Sequence, residues 1–108
     1  IRSPVETTPP TLNDPATAKR VLDAIATNMG EDYLHEDVRQ GMGAEDFAYL
    51  VQPELGVKGV YFSVGGTPGD EMENVPSHHS PFFKVQPGPS IKSGVEASVV
   101  AMMDLFGE

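Results

Sequence analysis

Prolines and glycines decide where a helix can begin and end in this chain, which holds 10 and 11 of them in 108 residues. Pro4, Pro9 and Pro10 each lack a backbone donor and hold extended backbone, so residues 1–13 read as the end of a strand followed by a linker. Asp14-Pro15 pairs an N-cap with a first helical position, and Ala18, Val21, Leu22, Ile25 and Met29 follow at helical spacing until Gly30. Residues 33–38 suggest an edge strand. Gly41 and Gly43 then break the chain ahead of a short helix over 44–51, with Glu45 and Asp46 in its first turn and Phe47, Leu50 and Val51 on its apolar side. Gly59-Val60-Tyr61-Phe62-Ser63-Val64 is β-branched and aromatic between glycines, the pattern of a buried central strand. Residues 65–90 show no periodicity and read as a long loop. The last helix begins near Pro89, places Ile91, Val95, Val99, Met102 and Phe106 on one face to cover a sheet, and stops at Gly107.

Helices alternating with single strands predict an α/β layer, a sheet with helices packed on it. One apolar strand cannot form a stable sheet, so the remaining strands are expected upstream. Ile1 stands where an initiator Met would be, and no basic head with an apolar run follows it, so the sequence reads as a processed product or a cloned fragment. No apolar stretch approaches the roughly 20 residues needed to cross a bilayer. Seven basic side chains against sixteen acidic ones give a charge of −9, which repels phosphate backbones and argues against a nucleic-acid partner. With no Cys, disulfides, thiolate nucleophiles and Cys-bound zinc are excluded within this stretch, and the compartment stays open.

The candidate chemistry is concentrated in Val75-Pro76-Ser77-His78-His79-Ser80-Pro81-Phe82-Phe83. Two prolines stiffen a polar loop around a His pair, which lowers the entropy lost when an imidazole is fixed on a metal or substrate. Adjacent side chains of an extended segment face opposite ways, so one imidazole of the two is expected to reach a given ion. The alternative is a pair of solvated loop histidines. A second constellation, Gly41-Met42-Gly43-Ala44-Glu45-Asp46-Phe47, opens a helix after a glycine turn. Its free donors suit a substrate carboxylate, and Glu45 or Asp46 suits a supporting acceptor for an imidazole; a well-capped helix is the other reading. His35 has no partner at ligand spacing. Gly65-Gly66-Thr67-Pro68-Gly69 lacks the Lys-Ser or Lys-Thr of a phosphate loop, and neither Ser63 nor Ser80 sits in a nucleophile elbow.

In order along the chain, Pro9-Pro10-Thr11-Leu12-Asn13-Asp14, Gly43-Ala44-Glu45-Asp46-Phe47, Phe62-Ser63-Val64-Gly65 and His79-Ser80-Pro81-Phe82-Phe83 resemble the C-terminal part of metal-dependent amidohydrolases. This is the aminoacylase and carboxypeptidase family of metallopeptidases that includes hippurate hydrolase and the indole-acetyl-amino-acid hydrolases. The resemblance implies that residues 1–12 are the exit strand and linker of an inserted peptidase dimerisation domain. Residues 13–108 would be the C-terminal part of a zinc-peptidase-like α/β catalytic domain. It implies that His79, and not His78, is the family's last metal ligand, and that Gly43, Glu45 and Asp46 lie near the substrate in supporting roles. The other ligands and the general-base Glu of the family would lie upstream, so no catalytic residue is assigned within this stretch and the fragment is expected to be inactive alone. Lys84-Val85-Gln86-Pro87 departs from the acidic run of many relatives.

The resemblance further implies hydrolysis of the amide of N-acyl amino acids or small peptide-like substrates. Two divalent ions (zinc, manganese, cobalt or nickel) would activate water and polarise the carbonyl in a homodimeric enzyme. Ligation needs neutral imidazole, so metal affinity is expected to fall in acid. The competing expectation is a non-catalytic binding module in which the His loop and the glycine turn contact a partner.

Overall fold

Asp14 begins the first helix by accepting from both donors of Thr17, the backbone N–H at 2.9 Å and Oγ1 at 2.6 Å. A computed structural model describes residues 8–35, 44–69 and 75–107. It divides the chain into two units, Ile1–Phe62 and Ser63–Glu108.

In the first unit, α1 (Pro15–Met29) has Pro15 at its start, where a missing N–H costs nothing. It ends at Gly30, whose N–H donates to Ala26 O at 3.0 Å with φ 109°, backbone that an L side chain resists. Its buried face is Val21, Ala24 and Ile25, the i, i+3, i+4 set of a helix lying on a core. Leu22, placed on that face by spacing, is exposed, and Ala24 takes its place. A 3₁₀ turn, Glu31–Tyr33, follows where the edge strand was expected to open; residues 36–38 of that strand lie outside the described residues. The expected second helix is a single 3₁₀ stretch, Asp46–Leu50, and another 3₁₀ turn, Pro53–Leu55, precedes Gly56 at φ 65°. Ala48 and Val51 complete the buried apolar set of this unit.

The α/β expectation is corrected here: among the described residues there are helices and no strand, hence no layered sheet of the zinc-peptidase-like kind. The physical reason lies at 59–64, since a strand needs a neighbouring backbone to complete its ladder. Gly59 O accepts from Asp14 N–H at 3.0 Å, and both backbone groups of Tyr61 are taken by the Asn13 side chain. Phe62 and Val64, expected inside a sheet, are 39% and 42% exposed.

The second unit is built on α2 (Pro87–Phe106). The helix starts two residues before the expected Pro89, because Pro87 and Pro89 both fall in the first turn, where their lack of an N–H removes orphan donors. Gln86, its N-cap, donates its N–H to Gly66 O at 2.8 Å, and Val64 lies against Gly94, within 3.6 Å of where a Cβ would stand. The helix buries Ala97 and Ala101 and half-buries Ser90 and Gly94, a stripe of small residues. Ile91, Val95, Val99, Met102 and Phe106, expected to cover a sheet, lie roughly 130° around the helix and are exposed.

Candidate functional site

Two reversals of the chain shape the His loop. Ser80 N–H donates to Ser77 O at 2.7 Å and Phe83 N–H to Ser80 O at 3.1 Å, so a turn over 77–80 runs straight into a turn over 80–83. Each is reinforced by its own serine: Ser77 Oγ accepts from His79 N–H at 3.4 Å and Ser80 Oγ from Phe82 N–H at 3.2 Å. Pro76 and Pro81 bracket the first turn. His78 and His79 therefore occupy its two central positions, both exposed, with ring centroids 4.2 Å apart and ring planes inclined by 43°. The expectation that the two imidazoles face opposite ways rested on extended backbone, and the turn replaces it with rings side by side.

The second constellation is in the first unit. Gly43 lies outside the described residues. Glu45 is half-buried and caps the 3₁₀ stretch with its own side chain, Phe47 N–H donating to Oε1 at 3.3 Å. Its other oxygen, Oε2, accepts from the Tyr61 hydroxyl at 3.1 Å, and the Phe47 and Tyr61 rings meet with centroids 5.7 Å apart. Both carboxylate oxygens of Glu45 thus hold local structure, the role of a capped turn. Asp46 is exposed at the first position of the 3₁₀ stretch. Gly59 is required beside this cluster, since a Cβ there would run into Val51 Cγ1 and stand 2.9 Å from Phe47 Cζ.

Asn13 and Tyr61 carry this arrangement and were given no role by spacing. Asn13 belongs to the Pro-Pro-Thr-Leu-Asn-Asp segment, and a carboxamide one residue before a helix cap was the available signal. The Asp14 carboxyl is held below its usual 3.8 mainly by the Thr17 hydroxyl, then by the Thr17 N–H, with Lys58 adding a smaller attraction.

For a divalent ion the donor chemistry fits in part. Two exposed imidazoles suit zinc, nickel, cobalt or manganese. Among the described residues, however, no group of three or more His, Asp or Glu side chains is gathered as a closed site demands. His79 lies in the second unit and Glu45 and Asp46 in the first. Among the described residues no helix is long and apolar enough to cross a membrane. No protein-family model matches the chain, and neither a curated protein nor a solved structure matches it.

Proposed function

We propose that the chain serves as part of a metal-dependent amidohydrolase that cleaves the amide of N-acyl amino acids or small peptide-like substrates, with His79 as a metal ligand. The observation that supports this reading is the exposed His79 ring at the centre of a turn closed by Ser77 and Ser80 between two prolines. The ordering entropy of that backbone is met by the fold before an ion arrives. A zinc-type ion held there by His79 would supply Lewis-acid chemistry for activating water and polarising the amide carbonyl. His79 contributes a neutral nitrogen donor, and ligands beyond these 108 residues complete the set. Glu45 and Tyr61 keep the 3₁₀ stretch in place. The test is hydrolysis of a panel of N-acyl amino acids by the full-length protein and its His79→Ala variant. Loss of turnover in the variant is expected, and equal turnover removes the ligand assignment.

A second reading, a non-catalytic binding module, is favoured by one observation: the bulky apolar stripe of α2 from Ile91 to Phe106 is exposed, with Phe106 at 81%. Absence of turnover on every N-acyl amino acid, together with unchanged thermal stability on adding Zn2+, supports the module.

A further inference from the structure

The turn that carries His79 also presents His78, and the family resemblance gives that residue no task. Ring centroids 4.2 Å apart place the two exposed imidazoles side by side, within about 1 Å of the separation that one shared ion demands. With Zn–N bonds of about 2.0–2.1 Å and near-tetrahedral angles, two ligating nitrogens sit roughly 3.3 Å apart and the centroids behind them roughly 5 Å apart, so the two exposed rings must open by about 1 Å through their side-chain torsions to share an ion. A parallel stack would set the rings face to face, whereas these are inclined by 43°. The backbone between them is already closed by the Ser77 O to Ser80 N–H bond at 2.7 Å, so binding orders two side-chain torsions per ring and no chain.

We propose that His78 and His79 form a two-imidazole chelate for a borderline divalent cation such as Zn2+, Ni2+ or Cu2+. The inference rests on the proposed ligand role of His79 and adds His78 as its partner. Imidazole nitrogen selects these ions over Mg2+ and Ca2+, which prefer oxygen. Water fills the remaining positions in this chain, so the site is open and exchangeable.

Calorimetric titration of the chain with Zn2+ alone tests this, in the presence of excess Mg2+ to occupy carboxylates, on the wild type and on His78→Asn, His79→Asn and His35→Asn. One Zn2+ per wild-type chain is expected, with tenfold or greater weakening in His78→Asn and in His79→Asn alike, and no change in His35→Asn. Broadening of both imidazoles by substoichiometric Cu2+ in NMR spectra is expected as an independent readout. Zn2+ affinity that survives in His78→Asn but not in His79→Asn overturns the chelate and leaves His79 as a lone ligand. Wild-type affinity in both variants overturns the chelate and the ligand role together. A wild-type chain that takes up no Zn2+ overturns the chelate, while His79 could still act where further ligands are supplied from outside the chain.

Discussion

The carboxamide of Asn13 holds both backbone groups of Tyr61: Oδ1 accepts from the Tyr61 N–H at 2.7 Å and Nδ2 donates to the Tyr61 carbonyl at 2.9 Å. One residue on, Asp14 N–H donates to Gly59 O. A side chain and a helix cap thus satisfy alternate residues of one backbone edge, as a neighbouring strand would. Tyr61 then passes the constraint on through its hydroxyl to Glu45.

Asn13→Ala removes one donor and one acceptor from that edge, so a loss of about 1–3 kcal/mol is expected in urea unfolding, at about 0.5–1.5 kcal/mol per bond. Tyr61→Phe breaks the bond to Glu45, for which about 1 kcal/mol is expected. A cost for Asn13→Ala no larger than that of an ordinary surface substitution would show that the pairing is incidental.

At Gly59 the expected cost is steric. Gly59→Ala forces Val51 and Phe47 apart, and overpacking of this kind destabilises by about 1–3 kcal/mol. Gly66→Ala is the control, because its Cβ would meet Val85 and Phe83 at ordinary contact, 3.7 and 3.8 Å. Thermal melts that rank the two variants in the opposite order contradict the packing described.

Asp14 makes the first helix sensitive to acid. Its folded carboxyl titrates below the usual 3.8, so its contribution is complete above that value and is lost as pH falls through the lower folded one. Helicity followed by circular dichroism should therefore decline more in the wild type than in Asp14→Asn on acidification from pH 5 to 2. Asn still caps a helix but carries no titrating group. Parallel declines in the two proteins refute this account of the cap.

The helices were legible from local chemistry. Asp14-Pro15 and Gly30 bound α1 as their N-cap and C-cap roles dictate, and α2 ends at the expected Gly107. What failed was the inference from a residue pattern to its partners. The aromatic, β-branched run at 59–64 is compatible with a strand, but whether it pairs depends on what lies beside it, and Asn13 lies there. The same holds for α2. Its bulky stripe looks like a core face by period, yet Gly94, Ala97 and Ala101 allow closer approach and are the face turned inward. In the His loop, proline flanks were visible in the sequence, whereas the turn closed by the Ser77 carbonyl was not, and it changes where the second imidazole goes.

The exposed stripe of α2 and the buried face of α1 predict unequal responses to substitution. Val95→Ser and Phe106→Ser alter exposed positions and should shift unfolding by less than about 0.5 kcal/mol. Ile25→Ala on the buried face of α1 should cost about 2–5 kcal/mol. A large loss of stability in Val95→Ser would show that the stripe is covered in the free chain.

Metal content bears most directly on the role given to His79. Purified full-length protein and its His79→Ala variant, loaded with zinc under identical conditions and freed of loosely held ion by gel filtration, are compared for bound zinc per chain. A clear fall in the variant, with unchanged circular dichroism, is the predicted result. Equal zinc in both proteins contradicts it.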